Sequence, residues 1–309
     1  MKSNCVKIRI TAQQAALVLV ALLLFPGSGQ AQNAQIDQQS RASKQRAAAP
    51  NLPTIFVVGD STANNNANGA RGWGDPFVDY FDAEKINVLN RARGGRSSRT
   101  FITEGLWDKV LSEMKRGDFV LIQFGHNDAG AINDATRARG SLPGIGEETQ
   151  EIDNLLTKKH EVVHTYGWYM RKMIADTKAK GATPIVLSLT VRNIWKEGRV
   201  ERGSGKFGLW ATEIAKSQGV TFIDLTTLIA NKYEELGEDK VKGLFATDHT
   251  HTSPVGAELN ASLVVAGLKM LSRKPLNRYL SAKGTAVKKE KYGRLSNRRN
   301  GIQTYLSAA

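Results

Sequence analysis

The sequence predicts an α/β domain of three layers, a central parallel sheet of about five strands with helices on both faces. Three observations predict it. Between residues 54 and 272, short apolar runs alternate with longer amphipathic stretches. The short runs are apolar almost throughout, as strands buried on both faces must be. Each is bounded by Gly, Asp or Pro, the residues that punctuate elements.

The strand runs are Thr54–Val58, Asn87–Asn90, Phe119–Phe124, Pro184–Leu189 and Val220–Ile223. Helices are expected near 73–83, 104–115, 166–180, 206–218, 225–236 and 253–271. Gly117, Gly181 and Gly219 stand where helix ends call for a left-handed residue. Ser253-Pro254 reads as an N-cap followed by proline in the first turn. Two connections, 125–165 and 190–205, are long for a compact domain, where long loops tend to carry function. In an open α/β sheet ligands bind beyond the carboxyl ends of the strands, so the chemistry is expected just after each strand.

The chain has 309 residues and a formal net charge of +14, which by itself suggests a nucleic-acid or membrane partner. Its ends account for that charge. Residues 1–31 read as an export signal: Lys2, Lys7 and Arg9, the apolar run Ala15–Phe25, then small residues before a cut after Ala31. That run is too short to span a bilayer core of about 30 Å. Residues 32–53, rich in Gln, Ala, Ser and Asn, read as a flexible linker. Residues 273–309 hold ten Lys/Arg against the lone acid Glu290 and read as a disordered basic tail. These three segments carry the whole excess, and residues 54–272 are neutral. No nucleic-acid partner is expected, nor stable membrane insertion after the signal is removed. The single cysteine, Cys5, would leave with the signal, which suits a secreted or periplasmic protein without disulfides.

After the first strand comes Gly59-Asp60-Ser61-Thr62. Glycine permits a tight exit, and a serine on such a turn presents its hydroxyl outward, although the same residues also suit a helix cap. After the second comes Arg93-Gly94-Gly95-Arg96-Ser97, whose glycines let backbone N–H groups approach an oxyanion. After the third comes Gly125-His126-Asn127-Asp128, where Asn127 can aim a neutral amide into the crevice that holds Ser61. Before the last helix, Asp248-His249-Thr250-His251 places a base and the carboxylate that orients its ring in one turn. His249 is a rival base two positions from His251.

In this order and at these strand ends, the four blocks resemble the SGNH (GDSL-type) hydrolases, with Thr62 standing where lipase-named relatives have Leu. A closer likeness, to the rhamnogalacturonan acetylesterases, rests on several longer matches. These are Gly59-Asp60-Ser61-Thr62 with an Asn/Gly-rich loop into Gly72-Trp73-Gly74, then Gly95-Arg96-Ser97 and Phe124-Gly125-His126-Asn127-Asp128. The last is Asp248-His249-Thr250-His251-Thr252-Ser253-Pro254 with Gly256-Ala257-Glu258. It covers residues 54–272. The resemblance implies a flavodoxin-like fold, Ser61 as nucleophile, His251 rather than His249 as base, and Asp248 as its orienter. It also implies an oxyanion hole from the N–H groups of Ser61 and Gly95 with the Asn127 side chain. The implied reaction is acyl transfer on acetylated acidic polysaccharide by a monomer, with no metal or other cofactor. Deacetylation of xylan or another glycan, or a lipase or thioesterase reaction, would use the same machinery.

One motif competes. His160-Glu161-Val162-Val163-His164 matches H-E-x-x-H, a zinc-protease signature, which must lie in a helix for both rings to face one metal. Paired valines and the following Gly167 favour an extended lead-in to the 166–180 helix instead. Finally, Arg91, Arg93, Arg96 and Arg99, with Arg137, Arg139 and Arg192 in the long loops, suit a polyanion unless acids such as Asp128 or Asp134 pair with them. Arg96, Arg192 and Trp195 are the expected substrate contacts, Trp195 by stacking on a sugar ring, although core packing would equally account for it.

Overall fold

Nine strands, five of them in a parallel sheet, organise the residues that the structure, a computed structural model, describes: 49–202 and 205–290. The expected signal and nearly all of the linker lie outside them, as does the end of the chain from residue 291. The main sheet is built from β1 (Thr54–Gly59), β2 (Asn87–Asn90), β3 (Phe119–Gln123), β6 (Thr183–Leu187) and β9 (Thr221–Ile223). Its order is β2-β1-β3-β6-β9, every pairing parallel. The order turns back between β1 and β3, which makes their carboxyl ends the switch point where an open α/β sheet binds ligands.

Strand alternation divides the core in two. Ile55, Val57, Leu121, Ile185 and Ile223 face one side, where Trp73 and Phe77 pack with α6 (Leu225–Leu236) and α8 (Pro254–Met270). Phe56, Val58, Val120, Ile122 and Val186 face the other, against α2 (Ser98–Thr103), α3 (Leu106–Glu113), α4 (Tyr166–Ala179) and α5 (Phe207–Ser217). Residues two apart along a strand share a face, so five short strands feed two cores. The remaining helices are α1 (Gly74–Phe77), running into a 3-10 turn at Val78–Tyr80, α7 (Glu238–Lys242) and α9 (Ala282–Ala286). None of the described helices is long and apolar enough to cross a membrane.

Gly117, Gly181 and Gly219 all take positive φ, as their places at element ends require. Ser253 caps α8 by accepting from the Gly256 N–H, with Pro254 in the first turn. The helix expected over 104–115 is α3, which begins after Gly105 with φ +74°, while α2 just before it was not expected. Each long connection carries a hairpin: β4 (Thr149–Asp153) with β5 (His160–His164), and β7 (Trp195–Lys196) with β8 (Arg199–Val200).

Two expectations need correction. The basic tail is not wholly solvated, since the domain continues to at least residue 290. Leu276 and Tyr279 are buried in the core, Leu280 bridges to Phe81, and the Ser281 N–H donates to the Tyr80 carbonyl at 3.0 Å. Lys283 lies 4.4 Å above the Tyr80 ring and 2.6 Å from a Glu258 carboxylate oxygen. The apolar residues responsible, Leu276, Tyr279, Leu280 and Val287, are scattered among lysines and arginines, which hid them from a reading by charge.

The zinc alternative fails on geometry. His160–His164 is a strand, so its two histidines are about 13 Å apart along the chain at ~3.3 Å per residue. Glu161 is occupied as well: Arg99, only 1% exposed, donates to both of its oxygens at 2.7 Å.

Candidate active site

Ser61 sits one residue beyond Asp60, at the exit of β1. Asp60 is fully buried, and its Oδ1 accepts from both the backbone N–H and the hydroxyl of Thr62 at 2.8 Å. That carboxylate folds the turn back on itself and leaves Ser61 at the rim. Gly59 is required here because a Cβ would lie 2.8 Å from the Gln123 carbonyl of the neighbouring strand. Gln123, also buried, accepts from Trp73 Nε1 at 2.8 Å and donates to the Ser188 carbonyl at 2.9 Å, tying the exits of β1, β3 and β6 together.

The turn 248–251 reaches Ser61 from 190 residues away. It is anchored by reciprocal bonds between Thr252 and Arg71: Arg71 N–H to the Thr252 carbonyl and Thr252 hydroxyl to the Arg71 carbonyl, both 2.8 Å. Gly72 and Gly74 let this loop press against the Ala63 backbone, where a Cβ would come within 2.3 Å and 2.7 Å respectively. In consequence His251 Nε2 lies 2.8 Å from Ser61 Oγ, and His251 Nδ1 lies 2.6 Å from Asp248 Oδ2. The other Asp248 oxygen accepts the backbone N–H groups of Thr250 and His251 at 2.7 and 2.8 Å. Partial burial works against ionisation of Asp248, but the His251 ring and these two N–H groups outweigh it and hold the carboxyl at about 2. A fixed anion therefore faces Nδ1, which leaves Nε2 unprotonated towards the serine hydroxyl. His249 points elsewhere, with Nδ1 on the Thr250 hydroxyl at 2.8 Å.

Gly94 lies beside Ser61, where an added Cβ would stand in ordinary contact, 3.7 Å from the Ser61 Cβ. Gly95 follows with φ +78°, a left-handed conformation that glycine tolerates best. Neither the Ser61 nor the Gly95 backbone N–H finds an acceptor among the described residues. Asn127 is buried, and its amide donates one hydrogen to the Arg96 carbonyl at 2.8 Å, which holds the side chain against the Gly95 loop. Beneath it, Asp128 binds the Ser98 N–H and hydroxyl and the Ser141 hydroxyl, pinning the start of α2; burial pushes its carboxyl up to about 6. The arrangement offers a hydroxyl, a base with an oriented ring, and donors converging from two loops, which are the parts of an acyl-transfer site.

The expected substrate contacts divide. Arg96 is engaged, with Nε on Glu104 at 2.8 Å and Nη1 on the Gly94 carbonyl at 3.1 Å. Trp195 is half-buried, packs in part against the core and donates to Asn193 at 2.8 Å. Arg192 is different: its buried Nε has no hydrogen-bond partner among the described residues. Arg91 and Arg99 pair with Glu113 and Glu161. Arg139, which the motif blocks did not single out, lies over the Gly95 loop with Nη1 3.3 Å from the Gly95 carbonyl. No carboxylate among the described residues bridges to Arg93, Arg137, Arg139 or Arg192. No described cluster of three or more His, Cys, Asp or Glu could hold a metal.

Comparison with known proteins agrees with this architecture. Residues 57–259 match the model of the GDSL-like lipase/acylhydrolase family. The chain is 34% identical over 208 residues to a rhamnogalacturonan acetylesterase of Emericella nidulans, covering 67% of this chain and 81% of that protein. It is 30% identical over 236 residues to rhamnogalacturonan acetylesterase RhgT of Bacillus subtilis, covering 70% and 90% respectively. Among solved structures, protein YxiM of Bacillus subtilis is similar with a TM-score of 0.56 and 26% identity, over 71% of this chain and 56% of that one.

Proposed function

Because the chain belongs to the GDSL-like lipase/acylhydrolase family and is an esterase, we propose that it removes acetyl groups from an acidic, rhamnogalacturonan-type polysaccharide through an acyl-enzyme on Ser61. The observation that carries this reading is the line Ser61–His251–Asp248, at 2.8 and 2.6 Å, opening onto two unused N–H groups.

The chemistry follows from those positions. Ser61 Oγ attacks the acetyl carbonyl carbon as its proton passes to His251 Nε2, and the Asp248 carboxylate stabilises the resulting imidazolium. The carbonyl oxygen becomes an oxyanion held by the N–H groups of Ser61 and Gly95 and by the second amide hydrogen of Asn127. Collapse breaks the bond to the sugar oxygen, which leaves with the proton from His251. Water then gives a proton to His251 as its oxygen bonds to the acyl carbon, and collapse breaks the bond to Ser61 Oγ, which takes that proton back as acetic acid leaves.

The preference for an acidic glycan is supported by the two relatives and by the arginines. Those with internal acid partners serve the fold, while Arg93, Arg137, Arg139 and Arg192 remain to meet carboxylates of the substrate. Export is part of the same reading, carried by the signal-like segment 1–31 and the absence of cysteine after Cys5. The test measures acetate release from acetylated rhamnogalacturonan, acetylated xylan and p-nitrophenyl acetate, each beside Ser61→Ala. Release from the pectic substrate that vanishes in the variant is expected. Rapid turnover of xylan alone would overturn the substrate, and full activity in Ser61→Ala would overturn the mechanism.

A further inference from the structure

His126 lies directly before Asn127, with its side chain only 3% exposed, and takes no part in the steps above. Its two ring nitrogens meet two acceptors. Nε2 is 3.1 Å from the Thr190 carbonyl oxygen, beyond the end of β6, and Nδ1 is 3.2 Å from Asp60 Oδ2, beyond the end of β1. A carbonyl oxygen only accepts, so Nε2 carries a hydrogen. Burial of Asp60 favours its neutral form, but His126 and the two Thr62 donors prevail and hold the carboxyl below the usual carboxylate range. Oδ1 of Asp60 takes both Thr62 donors as a carboxylate does, which leaves Oδ2 to accept from Nδ1, so Nδ1 carries a hydrogen too.

We propose that His126 is a positioning residue that donates from both ring nitrogens, so that it cancels the Asp60 charge beneath the nucleophile and fixes the exits of β1, β3 and β6 relative to one another. The proposal rests on the reading of Ser61 as nucleophile and Asn127 as oxyanion donor. Asp60 is needed to fold the turn that presents Ser61, yet its negative charge lies beside the place where an oxyanion develops. In a water-poor interior that repulsion is strong. The other charged groups within reach of Asp60 are Asp128, which adds to the negative field, and Arg139, half-buried at the oxyanion loop; the Tyr166 hydroxyl is the remaining titratable group. Only His126 contacts the carboxylate itself. One cation thus resolves the conflict between folding the turn and stabilising the transition state.

The test begins with the unmodified protein, labelled with 15N in its histidine rings. Both His126 nitrogens, assigned by comparison with His126→Gln, are expected to give protonated-type shifts at neutral pH, with N–H protons slow to exchange. One unprotonated nitrogen at pH 7 would overturn the proposal. Kinetics with p-nitrophenyl acetate supply the second readout. His126→Gln is expected to lower kcat about 10²-fold with little change in KM, the size of a misplaced reacting group. The double variant Asp60→Asn/His126→Gln is expected to recover about fivefold or more over His126→Gln, because no uncompensated carboxylate remains. A double variant no better than the single one would mean that the pair acts only as packing. Neither readout uses polysaccharide, so loss of the pectic assignment would leave this test intact.

Discussion

Replacing Glu161 separates the two meanings of the H-E-x-x-H segment. Glu161 receives both Arg99 donors at 2.7 Å and a third bond from Asn154 Nδ2 at 2.7 Å. Arg99 itself is buried between two carbonyls, those of Ile132 and Gly140, each at 2.7 Å. Glu161→Ala would leave a guanidinium in the interior with only those two dipoles. Breaking a buried pair in this way costs about 3–5 kcal/mol. Glu161 is 17% exposed, so water can reach part of the vacated space, and the lower end, about 3 kcal/mol, is expected. At roughly 2–4 °C per kcal/mol for a domain of this size, the midpoint should fall by about 6–12 °C. Glu161→Gln, which keeps an acceptor and the Asn154 contact, should lose less. The assay is thermal unfolding followed by circular dichroism, paired with p-nitrophenyl acetate turnover at 25 °C. Turnover is expected to stay within about tenfold of the parent, since no reacting atom touches Glu161. An unchanged midpoint with activity abolished would refute the reasoning and return Glu161 to the chemistry.

Two further outcomes follow from burial. Asp128 titrates at about 6 in the folded chain against an ordinary 3.8, so the native state holds the extra proton between those values and stability should fall as pH rises from about 4 to about 6. A shift of that size is worth roughly 2–3 kcal/mol; urea unfolding should show the loss in the parent and not in Asp128→Asn, and a parent that gains stability across that window relative to the variant would contradict the assignment. Ending the chain after Ser272 should cost about 3 kcal/mol or more relative to ending it after Glu290, because it removes buried Leu276 and Tyr279. Equal midpoints for the two truncations would mean that residues 273–290 add nothing.

What the sequence made legible was local. Gly59-Asp60-Ser61, Gly95, Asn127 and the Asp248–His251 turn each sit within a few residues of a strand exit or helix start, and the continuous apolar runs of β1, β3, β6 and β9 locate those exits within two residues. Helix α2 was equally local but was missed, because its consecutive residues Ser98, Arg99, Thr100 and Phe101 are all buried and leave no amphipathic period to read. The hairpin β4–β5 escaped because Thr149–Asp153 is largely exposed and polar, so it shows no apolar alternation.

The fate of the charges was not legible, and the reason is physical. Arg96, Arg91 and Arg99 looked alike as a cluster, yet their partners Glu104, Glu113 and Glu161 lie 8, 22 and 62 residues away. Ion pairing is decided by what the fold brings within about 4 Å, and spacing along the chain carries no record of it. The same holds for His126, whose acceptors at Asp60 and Thr190 are 66 and 64 residues distant. Ser61 and His251 are farther apart still, but their meeting was foreseeable, because both belong to short motif blocks that the family resemblance assigns to one site. Side chains that perform chemistry at a strand exit are thus recoverable from pattern. Those that neutralise, brace or release charge around them must be read from three-dimensional contacts, and it is there that Arg139 and Arg192 separate from the arginines that serve the fold.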